Sequence, residues 1–117
     1  MATSRLRGPF TLTTLGVQKA VTRTSAGAYG LGHTRQTDNV FIIEYVGRSD
    51  DDVCARLLKW APAKYLQFKY EYYDSSLAAY RKECDLFHDF SGIGSLDNEV
   101  HPAKPANTYL RCARCGV

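Results

Sequence analysis

The sequence predicts an α/β fold of the α+β kind: a three-stranded antiparallel sheet flanked by helices, ending in an irregular C-terminal tail. Three observations carry that expectation. Residues 40–46 and 66–72 are strand-length runs of β-branched and aromatic residues, a helical period follows each run, and glycine, proline and asparagine gather after Ser91. With 117 residues, 44% hydrophobic and 23% charged, the chain has the size and composition of one globular domain.

Residues 1–26 are rich in Thr, Ser and Arg without a clear period and read as a basic, partly ordered arm; the core runs over 27–98 and the tail over 99–117. Gly27 to Leu31 reads as the first strand. Val40 to Val46 is the second, and its almost continuously apolar sequence predicts a central strand covered on both faces. Gly32, Asp38 and Asn39 lie between the two, so an antiparallel hairpin with an extended loop from His33 to Asn39 is expected. Ser49, three residues before Asp52, resembles a capping-box start, and Val53, Leu57 and Trp60 recur at helical spacing before Pro62, which predicts a helix of about three turns. Leu66, Phe68, Tyr70 and Tyr72 then alternate with Gln67, Lys69, Glu71 and Tyr73, the period of a third strand with one buried face. Asp74 or Ser75 caps a second helix over 76–90, with Ala79, Glu83, Leu86 and Phe90 along one helical stripe and Leu77, Tyr80, Cys84 and Phe87 along the neighbouring one, a broad apolar face.

No apolar run approaches the roughly 20 residues of a membrane span, and no continuous apolar signal core follows Arg5 and Arg7. An intracellular, cytoplasmic protein without a membrane partner is expected. The net charge of +3 is unevenly spread: +4 over residues 1–26, −4 over 27–100 and +3 over 101–117. Basic ends around an acidic middle can neutralise phosphates and release counterions, although ordinary solvated termini share the pattern.

Five residues carry a more specific pattern. Gly27-Ala28-Tyr29 and Tyr45-Val46-Gly47 each fall on a predicted strand, Arg56 follows Tyr45 by eleven residues on the first helix, Glu83 lies on the second helix, and Asn98 follows in Leu96-Asp97-Asn98. In this order the chain resembles the GIY-YIG endonuclease family over residues 27–98. The resemblance implies a GIY-YIG-like sheet and a metal-dependent endonuclease acting on nucleic acid, DNA before RNA. It makes Tyr29, Tyr45, Arg56, Glu83 and Asn98 the catalytic set, with Tyr29 as general base, Arg56 on the scissile phosphate, and Mg2+ or Mn2+ held by Glu83. Arg48, Lys59 and Lys64 are the expected nucleic-acid contacts. Ala28 stands where the motif has isoleucine, and Trp60 where a basic or histidine side chain often follows the arginine, so Lys59 or Lys64 would take that role.

The chemistry needs these residue types. Phosphodiester hydrolysis requires an activated water in line with the leaving oxygen, and cations to neutralise charge on the phosphoryl oxygens. Tyrosine, with an ordinary pKa of about 10, accepts a proton near neutrality only beside a cation or hydrogen-bond donor.

Four cysteines without a secretion signal point to metal ligation or ordinary burial rather than disulfides. Cys84 and His88 are one helical turn apart, and Cys112 and Cys115 form a C-x-x-C; together they make a Cys3His set suited to structural Zn2+ that would staple the tail to the helix. His101 is the alternative fourth ligand, and His33 reads as a loop histidine. Two other functions fit parts of the sequence: a non-catalytic nucleic-acid-binding module whose Tyr70, Tyr72 and Tyr73 stack on bases, and a zinc-stabilised interaction domain resting on the tail. With no second DNA-reading domain in the sequence, specificity would come from loops and basic ends, from a dimer or from a partner protein.

Overall fold

A computed structural model describes residues 4–61, 65–90, 96–98, 101–103, 105, 112 and 114. Its elements in chain order are β1 (Arg7–Thr11), α1 (Thr14–Ala20), β2 (Gly27–Arg35), β3 (Val40–Ser49), α2 (Val53–Trp60), β4 (Gln67–Tyr72) and α3 (Ser76–Asp89). The sheet is ordered β1-β4-β2-β3 and every neighbouring pair is antiparallel. Helices α1 and α2 cover one face and α3 the other, so the molecule has three layers.

The sheet therefore has a fourth strand beyond the expected three, and α1 is a third helix. Both come from residues 7–20, whose sequence shows no period because little of β1 is buried: only Phe10 is even half-covered, stacked against Phe68 and Tyr70 of β4. Backbone pairing to β4 defines this edge strand. Thr13 caps α1 by accepting from the Gly16 amide at 3.0 Å, and Val17 is the residue the short helix buries.

The central positions also differ from expectation. The apolar run 40–49 forms an edge strand of mixed burial, whereas β2, with its three glycines at 27, 30 and 32, is the strand buried at every position from Gly27 to Gly32. Small residues suit that place because neighbours crowd it: a Cβ at Gly27 would lie 2.6 Å from the Glu71 carbonyl, and one at Gly32 would overlap the Ile42 carbonyl. The hairpin has longer strands and a shorter loop than expected. Pairing continues through His33, Thr34 and Arg35, opposite Ile42, Phe41 and Val40, and residues 36–39 turn with Asn39 at φ 59°. His33 is accordingly a strand residue, hydrogen-bonded to Glu44.

Helix α2 is shorter than three turns, spanning eight residues, and its N-cap is Asp52, which accepts from the Ala55 amide at 3.1 Å. Ser49 instead accepts from the Asp52 amide in the preceding turn. Ser75 caps α3. Phe68 and Tyr70 of β4 are buried as the alternation predicts, but Leu66 precedes the strand and is 68% exposed.

The core divides across the sheet. Tyr29, Leu31, Phe68 and Tyr70 pack with Val17, Val53 and Leu57 on the α1/α2 face; Ala28, Ile43 and Val46 pack with Leu86 and Phe87 on the α3 face. Burial of such side chains stabilises by about 1.5–3 kcal/mol each relative to exposure. Among the described residues, no helix is long and apolar enough to cross a membrane.

Candidate functional site

The outer edge of β3 is not left bare. Asn98 binds it like a strand residue: its Oδ1 accepts from the Val46 amide at 3.0 Å and its Nδ2 donates to the Val46 carbonyl at 2.8 Å. The Asp97 amide donates to the Glu44 carbonyl at 2.6 Å, and the Asp97 carboxylate accepts from the Tyr65 hydroxyl at 2.8 Å. A buried polar edge thus gains partners that cost little to order.

Beside this clip opens a cleft of about 290 Å³. It is shared by β3, which contributes Tyr45 and Arg48; by α2, with Arg56; by α3, with Glu83; and by Asn98 and the His101–Ala103 segment. The layers explain the convergence. Tyr45 projects to the α2 side and Arg48 to the α3 side of the same edge strand, so an edge cleft collects residues from both faces.

Glu83 is 7% exposed and its Oε1 accepts from Arg48 Nη1 at 2.7 Å. Burial holds its carboxyl above the usual carboxylate range, against the opposing pull of Arg48. Arg48 also donates through Nε to Asp50 at 2.7 Å and lies over the Tyr80 ring, 5.2 Å from its centroid. The sequence-predicted nucleic-acid contact at Arg48 is therefore a largely covered guanidinium joined to two carboxylates. Arg56 is the contrasting cation: exposed, on the cleft, and in no ion pair among the described residues. Lys59 is exposed at the end of α2 away from the cleft lining, and Lys64 lies outside the described residues.

The two motif tyrosines are placed differently. Tyr45 lines the cleft, half-buried, with its ring 4.8 Å from Trp60 and 6.3 Å from Tyr65. Burial and then the nearby Glu83 charge raise its pKa, and Arg56 lowers it. Tyr29 is 2% exposed beneath the cleft, and its hydroxyl accepts from Trp60 Nε1 at 3.0 Å. Burial raises its pKa more strongly. The motif glycine makes this packing possible: a Cβ at Gly47 would stand 2.5 Å from the Tyr29 hydroxyl. Trp60, four residues after Arg56, thus contacts both tyrosines; its helical spacing from Arg56 is the signal that could have marked it. Asp50 and the 101–103 wall had no such signal.

A second cluster adjoins the cleft. The ligand atoms of Cys84, His101 and Cys112 all lie within 4.8 Å of one another, an arrangement able to hold a metal ion. His88 Nε2 is 3.3 Å from His101 Nε2 and 3.5 Å from Cys112 Sγ. His101, expected as the alternative fourth ligand, is thus part of the cluster, and Cys115 lies outside the described residues. Of the tyrosines expected to stack on bases, Tyr70 is 2% exposed, and Tyr72 lies beneath Arg7 and Arg23 with its hydroxyl accepting from the Thr22 and Arg23 amides. Neither ring is open to a base.

The chain matches no protein-family model, and comparison with curated proteins and with solved structures likewise gave no match.

Proposed function

We propose that the cleft hydrolyses phosphodiester bonds in nucleic acid, DNA before RNA, as a metal-dependent endonuclease of the GIY-YIG type. One observation carries the reading: Tyr45, Arg56, Glu83 and Asn98, chosen by motif across more than fifty positions of sequence and lying on separate segments, line a single cleft. Residues selected by chance would scatter over the molecule.

In this reading Tyr45 is the general base. It lines the cleft, whereas Tyr29, the tyrosine first expected in that role, is covered and helps to position Tyr45 through Trp60, which it holds and which packs on the Tyr45 ring. Water attacks phosphorus as its proton passes to the Tyr45 phenolate, and the bond to the leaving oxygen breaks. Arg56, exposed on the cleft and in no ion pair among the described residues, binds the phosphoryl oxygens whose charge grows. Asn98 acts by position, since both ends of its amide hold Val46.

Glu83 and Asp50 offer the cleft hard carboxylate oxygens, the donor type that Mg2+ and Mn2+ prefer. A cation there would supply Lewis-acid stabilisation of the phosphoryl oxygens. Arg48 already bridges both carboxylates, so it must share Glu83 with the ion. The Cys–His cluster, with softer donors, suits Zn2+ instead. The proposed partner is nucleic acid, with target choice left to the loops, the basic ends, a dimer or a partner protein. Incubation of purified protein with plasmid and oligonucleotide substrates, with magnesium, manganese or chelator and beside Glu83→Ala, tests the reading.

A further inference from the structure

Two separations in the cluster behind the cleft match the edges of a tetrahedral zinc site. With zinc–nitrogen bonds of about 2.0–2.1 Å and zinc–sulfur bonds of about 2.3 Å, the edges of the tetrahedron are about 3.3 Å between two nitrogens and about 3.5 Å between nitrogen and sulfur. His88 and His101 approach at 3.3 Å, and His88 and Cys112 at 3.5 Å. Cys84, His101 and Cys112 have ligand atoms all within 4.8 Å of one another, and His88, one helical turn after Cys84, stands outside that group of three, close to His101 and Cys112 but farther from Cys84.

The surroundings orient the donors. His101 Nδ1 is 3.0 Å from the Pro102 carbonyl, which can only accept, so Nδ1 carries the proton and Nε2 presents its lone pair to the cluster. Tyr80 packs with Cys84 and Cys112, and its buried hydroxyl, short of a well-formed hydrogen bond, faces the Cys84 sulfur as its nearest acceptor. Arg114, two residues after Cys112, donates to Asp89 on α3 at 2.8 Å, which ties Arg114 to the same helix.

We propose that Cys84, His101 and Cys112 bind one zinc ion, that His88 turns in from its place beside His101 and Cys112 as the fourth ligand, and that this ion fixes the His101–Ala103 wall of the cleft. The site differs from the Cys3His set read from the sequence by exchanging Cys115 for His101. That exchange matters because His101 belongs to both places: it is a cluster ligand and it lines the cleft. Cys84 also follows Glu83 directly on α3, and Tyr80 carries the Arg48 guanidinium that holds Glu83. Zinc therefore anchors one wall of the cleft and the helix that presents its carboxylate. It does so whether or not the cleft hydrolyses anything.

The test begins with metal analysis of the purified full chain and with its cobalt-substituted form. One zinc per chain is expected, and cobalt should give the bands of a tetrahedral site with charge-transfer intensity for two thiolates. His101→Ala and Cys112→Ser should each lose the ion, and Cys115→Ser should keep it. Removal of zinc by chelator should speed amide exchange at residues 97–98, 101 and 103 while β2 stays protected. Absence of tightly bound zinc, or a three-thiolate cobalt spectrum with zinc retained in His101→Ala, would overturn the ligand set. Unchanged exchange after zinc loss would overturn its role in the wall. The cobalt spectrum of the unaltered chain decides the ligand count even if a variant fails to fold. None of these measurements depends on cleavage, so failure of the hydrolytic reading would be seen separately.

Discussion

Tyr29 and Tyr45 sit on neighbouring strands, but of the two only Tyr45 lines the cleft, while Tyr29 is buried and accepts the Trp60 N–H. Tyr45→Phe should lower the cleavage rate by roughly 10²-fold with nucleic-acid affinity retained. Tyr29→Phe should mainly cost stability, about 1 kcal/mol for the hydrogen bond from Trp60, read by chemical denaturation. A full loss of rate in Tyr29→Phe with Tyr45→Phe still active would exchange the roles. The pH profile follows from the same group. The base acts as phenolate, and burial raises the Tyr45 pKa above its ordinary value of about 10, so the rate should climb about tenfold per pH unit through neutrality without a plateau below that pKa. A plateau near pH 7 would point to another base. At Asn98 the argument is structural: Asn98→Ala leaves the Val46 amide and carbonyl without their partners and should destabilise by about 1–3 kcal/mol.

Among elements, β2 and β3 show what the sequence could and could not reveal. Hydrophobic periodicity located β3, β4, α2 and α3, because each of these buries a patterned face. It reversed the places of β2 and β3, since a central strand crowded by ring and carbonyl neighbours takes glycine, and glycine carries no hydrophobic signal. Strand β1 was illegible for a different reason: pairing with β4 defines it, and its side chains mostly face solvent. The site was partly legible. Tyr45, Arg56 and Glu83 were found by motif, but the ion pair that covers Arg48, the burial of Tyr29 and the entry of His101 into the cysteine cluster are tertiary facts. Gly47 joins element to site. Gly47→Ala should push a methyl into the Tyr29 ring and cost about 1–3 kcal/mol, as overpacking does, with a matching drop in the unfolding midpoint. Stability unchanged in that variant would mean that Tyr29 moves aside freely.

Taken whole, the molecule is a sheet between two helical layers with its chemistry at one edge. Helix α2 brings Arg56 to one side of β3, α3 brings Glu83 to the other, and the 96–98 clip closes the edge between them. The Cys84–His101–Cys112 cluster begins at the residue after Glu83, so the same helix offers a hard carboxylate donor and a softer sulfur donor at adjacent positions. Such an arrangement makes Glu83 the residue on which the hydrolytic account turns. The direct test is cleavage of supercoiled plasmid and labelled oligonucleotides by the zinc-loaded protein in magnesium or manganese, with Glu83→Ala in parallel. The account predicts nicking that requires the added divalent ion and is lost in Glu83→Ala, while zinc content and folding stay unchanged; cleavage of equal rate in Glu83→Ala, or no cleavage of any nucleic acid by the intact protein, would contradict it.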